Sequence, residues 1–290
     1  MDRVRRVLAR PGRMRAMTSS NRRLAIPRWL IVVGAIAVTI VILVGMVTRE
    51  PKPLPAPVEP MLPDLAMAPI EEVKGGLLEG TLEPVVRVEG TIMNIGTGDF
   101  RLSIRRSLPW TTDWTVYQRI EEAGGGYTER ETPAELTFVA DPHDHWHVQD
   151  MEAHRLEDLE TGEVINEVIK QGYCMFDSDL YFGELPGAPA EPVFLETACG
   201  VSPITTSMST GVSIGWGDKY PWHMMEQAIT LAGIPDGTYR IREIADPFDM
   251  IEESDETNNE TWIVVELTDT DAIPKVRIVD RADPVTPSVP

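Results

Sequence analysis

The chain has 290 residues, 42% of them hydrophobic and 25% charged, so it has the composition of a globular protein and is too apolar to be a disordered polyanion. Its 26 basic residues face 46 acidic ones, for a net charge of −20. Nine of the basic residues and only one acidic residue precede Trp29, which leaves 17 against 45 beyond it. A net of −28 over that remainder argues against nucleic acid as a partner and favours cationic or amine-bearing ones.

In chain order, residues 1–28 read as a basic cytoplasmic tail. Trp29–Val47 is an uncharged run of 19 residues, enough to cross a bilayer as a helix. The arginines ahead of it orient the N-terminus to the cytoplasm and the bulk of the chain outside, as an uncleaved single-pass anchor. Residues 48–69 hold closely spaced prolines (Pro51, Pro53, Pro55, Pro57, Pro60, Pro63), the composition of an extended stalk.

From 70 to 268 the pattern predicts an all-β domain, sandwich-like with long loops. Val85–Met93, a turn at Asn94–Gly98, and Phe100–Ile104 read as a hairpin. Two further strands follow turns, over Thr238–Ile244 after Asp236-Gly237 and over Glu260–Leu267 after Glu253–Asn259. Residues 269–290 read as a flexible tail. The two cysteines, Cys174 and Cys199, are expected to pair in an oxidising compartment.

The chemistry concentrates at Pro142-His143-Asp144-His145-Trp146-His147-Val148, which holds three of the five histidines. In an extended segment, residues two apart share a face, so His143, His145 and His147 converge as metal ligands. Imidazole nitrogen suits zinc, copper, iron and nickel, and spacing alone does not choose among them. His154 lies an odd number of residues from His147 and is expected in a supporting or structural place. Trp146, Trp216 and Trp222 are expected to pack around the site or in the core.

Further blocks extend the pattern: Glu152-Ala-His154-Arg-Leu, Lys170-Gln-Gly-Tyr173-Cys174, Thr197-Ala-Cys199-Gly, Gly211–Tyr220, Gln227-Ala-Ile-Thr-Leu and Glu253–Asn259. Together with the histidines they resemble, in order and spacing, the lysyl oxidase family over most of residues 80–268. The resemblance implies a copper(II) amine oxidase of the protein-lysine 6-oxidase type. Its cofactor, lysine tyrosylquinone, would form from Lys170 and Tyr220, with copper on His143, His145 and His147. Asp218, two residues from Tyr220, is a candidate base or orienting group. The single possible disulfide places the likeness nearer a microbial branch than the animal one. The implied reaction is oxidative deamination of a primary amine, borne by a lysine-rich protein or a polyamine, to an aldehyde, hydrogen peroxide and ammonia. Two alternatives stand beside it. The turns at Asn94–Gly98 and Glu253–Asn259 also resemble those of adhesion-type envelope modules, and the histidines alone fit a non-catalytic metal-binding domain.

Overall fold

The computed structural model describes residues 59–287 except 141–143, 171, 225 and 226. The basic tail, the anchor at 29–47, the first half of the stalk (48–58) and His143 therefore lie outside the described residues. Among the described residues no helix is long and apolar enough to cross a membrane.

The described chain is all-β, with one 3₁₀ turn at Glu196–Cys199, and every strand pair is antiparallel. Alternation is the reason. Phe100–Arg105 buries Phe100, Leu102 and Ile104 while Arg101, Ser103 and Arg105 face outward. Gly237–Ala245 buries Tyr239, Ile241, Glu243 and Ala245 in the same rhythm.

A five-stranded sheet runs Val164–Ile169, Glu152–Asp158, Gly237–Ala245, Glu260–Thr268 and Lys275–Arg281 in spatial order. Its apolar face, with Leu156, Ile241, Ile263 and Val265, packs on Val73, Val86, Val88 and Ile229 from a three-stranded sheet. A second core joins Phe100, Leu102 and Val116 to Leu65, Ile92, Val148, Tyr173, Trp216 and Tyr220. These face-to-face layers are what a sandwich-like arrangement requires.

Three expectations are corrected. Val85–Met93 is not one strand paired to Phe100–Ile104. It breaks at Glu89 into Pro84–Val88 and Gly90–Asn94, which belong to different sheets, and Phe100–Arg105 pairs with Thr115–Glu122 and Ser207–Val212. The Glu89 carboxylate accepts Glu71 N–H at 2.9 Å and Glu72 N–H at 3.1 Å, which holds that break. Asn94–Gly98 is then a corner rather than a hairpin loop. Thr97 N–H and Gly98 N–H both donate to Leu62 O at 3.0 Å, and a Cβ on Gly98 would stand 2.0 Å from Met61 O.

Leu62 and its neighbours show the second correction, because the stalk does not extend to residue 69. Leu65–Met67 is a buried strand paired with Gly90–Asn94, and Pro60–Met61 pairs with Thr115–Glu122. Third, 269–290 is not wholly a tail, since Lys275–Arg281 pairs with Glu260–Thr268 as an edge strand. Proline density hid the first of these, and a polar outer face (Lys275, Arg277, Asp280, Arg281) hid the second. The two late strands form as expected, pairing Gly237 with Leu267 through Ile244 with Glu260. Cys174 and Cys199 are joined in a disulfide.

Candidate metal and quinone site

The histidine segment is a short strand, His145–Val148, paired with Leu136–Val139 so that Trp146 lies opposite Phe138 and His147 opposite Thr137. Non-glycine residues with positive φ stand just outside each end, Asp144 (53°) and Asp150 (62°), and turn the chain into and out of it. Alternation then separates the side chains. Trp146 goes to one face, edge-on to Trp114 at 4.8 Å and Phe138 at 5.4 Å, with its indole N–H donating to Ser202 O at 3.0 Å. The Arg106 guanidinium stacks on the rings of Trp114 (4.4 Å) and Trp146 (4.7 Å), backing the strand from behind.

His145 and His147 share the opposite face, both buried, with Nε2 atoms 2.9 Å apart. Two nitrogens bound at right angles to one ion at roughly 2.0 Å would stand about 2.9 Å apart, so the pair fits adjacent positions of a tetragonal copper(II) sphere. Gly172 fixes one ring. A Cβ there would fall 2.3 Å from His147 Nδ1 and 2.6 Å from its Cγ, so only glycine leaves room for the imidazole.

The same segment brings in the second half of the site. Tyr173 and Val148 exchange backbone hydrogen bonds at 2.8 Å, laying Lys170–Cys174 along the histidine strand. Lys170 is buried, and its Nζ lies over two phenol rings, 3.1 Å from the Tyr220 centroid and 3.8 Å from that of Tyr173. The two rings meet edge to face at 4.6 Å. Tyr220 ends the strand Trp216–Tyr220, paired across to Gly90. Its hydroxyl accepts Cys174 N–H at 3.1 Å, so the disulfide-bonded residue also anchors the ring. Burial raises the Tyr220 hydroxyl well above its ordinary pKa, and the neighbouring Asp218 charge raises it further.

Asp218 lies two residues earlier on that strand and is fully buried. Neither carboxyl oxygen has a hydrogen-bond partner among the described residues. Burial raises its pKa well above the ordinary value, although the Lys170 charge pulls the other way. The sequence-predicted site thus has His145 with His147, Lys170 with Tyr220, and Asp218 on the Tyr220 strand.

Register also assembles a cluster that the sequence reading missed. Glu152 and His154, two apart, share a face of Glu152–Asp158, and His154 sits directly opposite Glu243 on Gly237–Ala245. On the other side Lys170 N–H donates to Glu152 O at 2.8 Å, bringing those two side chains abreast. The His154 ring lies between carboxylates, with Nδ1 3.2 Å from Glu243 Oε1 and Nε2 3.5 Å from Glu152 Oε2. Glu152 Oε2 also receives the Tyr173 hydroxyl and stands 3.9 Å from Lys170 Nζ. With its amide turned so that both ends are satisfied, the Gln227 carboxamide completes the cage, its oxygen 2.9 Å from Lys170 Nζ and its nitrogen 2.9 Å from Val88 O and 3.2 Å from His154 Nε2.

Burial opposes charge on His154, but the two carboxylates overcome it and raise the imidazole to about 10. Burial likewise raises Glu152, yet His154 and Lys170 outweigh that effect and hold it below the ordinary range. Ligand atoms of Glu152, His154 and Glu243 lie within 4.8 Å of one another, so this trio can also hold a metal ion. A signal was available in the sequence, because Glu243 falls in phase with Tyr239, Ile241 and Ala245 on a strand whose other face carries arginines. Trp216 is buried as expected, its indole N–H donating to Pro189 O at 2.9 Å. Trp222 is half-buried against His223. No family model and no curated protein matches the chain.

Proposed function

We propose that this protein is a copper-dependent amine oxidase that makes its own quinone from Lys170 and Tyr220. The observation that carries the reading is the Lys170 amine resting 3.1 Å above the Tyr220 ring in a buried site beside two convergent imidazoles. The amine has a carboxylate 3.9 Å away, and it also lies on a phenol face, the placement that fits a lysine whose nitrogen is to join that ring.

His145 and His147, with His143 completing the set, would hold copper. When bound, copper and dioxygen supply the oxidising power, and the quinone supplies a carbonyl for amine condensation and a sink for electrons. The chain's own groups do the rest. Tyr220 is held by Cys174 N–H at its hydroxyl and by Tyr173 at its edge, so the ring cannot turn away. Asp218, buried two residues from Tyr220, is the candidate to take the substrate α-proton, because burial without hydrogen-bond partners raises the proton affinity of its carboxyl group. The excess of 45 acidic over 17 basic residues beyond Trp29 would gather polyamines or lysine-rich proteins near the site.

The test is hydrogen peroxide release from a panel of primary amines by the copper-loaded protein. Release that requires copper, and disappears in Lys170→Arg and Tyr220→Phe while copper content holds, is expected. Copper-loaded protein that turns over no amine and never stains for a redox-cycling quinone would contradict the reading.

A further inference from the structure

We propose that Glu152 is the base that takes the proton from Lys170 as its nitrogen bonds to the oxidised Tyr220 ring, with His154 and Glu243 as positioning residues that hold it in place. This rests on the quinone reading above and adds to it the residue that drives self-assembly of the cofactor. The geometry is specific. Glu152 is fully buried and lies abreast of Lys170, with Oε2 3.9 Å from Nζ. Its other oxygen, Oε1, has no hydrogen-bond partner among the described residues. That oxygen sits where a Cβ on Gly90 would stand 2.1 Å away, and Gly90 is the strand partner of Tyr220. Glu152 thus sets one carboxylate oxygen 3.9 Å from the Lys170 nitrogen and packs the other against the strand partner of Tyr220, in space that glycine at position 90 leaves.

The charges around it explain why this carboxylate stays ionised. Its Oε2 lies 3.5 Å from the His154 ring and 3.9 Å from the Lys170 nitrogen, the two cationic side chains against it. Asp218 contributes a further carboxyl and Tyr173 a hydroxyl donor. His154 is fixed from its far side by Glu243, which keeps the Glu152 carboxylate aimed at the lysine.

The chemistry balances with dioxygen as oxidant. With copper held by the histidines, a first dioxygen would take the Tyr220 phenol to an ortho-quinone, one oxygen atom entering the ring and the other leaving as water. The Lys170 lone pair then forms the N–C bond. The proton shed by that nitrogen passes through Glu152 to one quinone oxygen, and the hydrogen on the attacked carbon goes to the other. The ring is thereby reduced by two electrons to an aminocatechol. A second dioxygen takes those two electrons and two protons, leaves as hydrogen peroxide, and restores the quinone.

The experiment uses the full chain in detergent, loaded with copper and exposed to dioxygen. Peptide mass mapping follows two products over time: Tyr220 oxidised but unlinked, and the Lys170–Tyr220 cross-link. Glu152→Gln is expected to bind copper like the wild type and to oxidise Tyr220, yet to form the cross-link about a hundredfold more slowly. The unlinked quinone should accumulate, a trapped species that a merely loosened fold would not produce.

If Glu152→Gln does not fold, Glu152→Asp reads the same step. Slow linking with accumulated unlinked quinone supports the base, and wild-type linking overturns it. Glu152→Gln linking as fast as wild type, or a second bound metal that Glu152→Gln abolishes, would each overturn the role of Glu152. Wild-type protein that takes up copper but leaves Tyr220 unoxidised would instead contradict the oxidase reading on which it rests.

Discussion

Gly172 is the smallest residue in the site and sets the position of one of its largest rings. Its backbone is not in the left-handed region, so Gly172→Ala tests contact and not strain. The added methyl would meet the His147 ring and push it off the His145 axis. Copper affinity is expected to fall about ten- to a hundredfold, read by competition with a chelator, with the thermal melt of the copper-free protein little changed. His154 gives a prediction of different kind. Its pKa is raised from 6.5 to about 10 in the fold, so its stabilising contribution is complete below about pH 6.5 and is lost as pH rises through about 10. Glu243, raised to about 7 chiefly by burial, changes stability with the same sign. Urea titrations across that range should show the wild type losing stability on the alkaline side, and His154→Gln losing less; equal losses would remove His154 from the account. The histidine triplet and the Lys170 and Tyr220 blocks were legible because each is defined by local order and spacing. Glu152, His154 and Glu243 were not recognised as a unit. Their meeting depends on which strands become neighbours, which two distant segments do not reveal separately.

At the scale of elements, the segment between Ile169 and Cys174 links the two halves of the site. It pairs with Glu152 at its start and with Val148 at its middle, and is closed at its end by the disulfide to Cys199. The bridge spans 25 residues, and closing a loop of that length is worth about 3 kcal/mol in the chain-entropy account. Cys174→Ser with Cys199→Ser should lower the unfolding free energy by about that amount, measured by urea titration. It should also slow quinone formation, because Cys174 N–H anchors the Tyr220 hydroxyl. Unchanged stability and unchanged quinone formation would show that the bridge is dispensable to both. The late hairpin was legible from its turn residues. The early one was not, since Glu89 splits one apolar run between two sheets through side-chain bonds to Glu71 and Glu72 that β-propensity does not encode.

Over the whole molecule, the domain begins earlier than its proline content suggests. Leu65, Ala66 and Met67 are essentially inaccessible to solvent. Deleting Pro60–Met67 removes two large core side chains worth about 1.5–3 kcal/mol each, together with the edge-strand partner of Gly90–Asn94. Against a total of about 5–15 kcal/mol for a typical domain, that deletion is expected to abolish cooperative unfolding in a calorimeter. A sharp transition at the original temperature would place the domain boundary back near residue 70. Charge acts at this scale too. Rising salt should weaken apparent affinity for polyamines while leaving small monoamines nearly unaffected, since screening removes a long-range field and not a contact. All-β character was legible from alternation along single strands, whereas the partition into sheets follows from pairings between strands far apart in sequence.

The account stands most directly on whether the Lys170 nitrogen becomes bonded to the Tyr220 ring. Peptide mapping of the protein after copper loading in air decides it. A single cross-linked species joining the peptides that carry Lys170 and Tyr220, with quinone absorbance and absent from His145→Ala, is the result predicted here. Copper-loaded, aerated protein that yields both peptides separate and unmodified would contradict it.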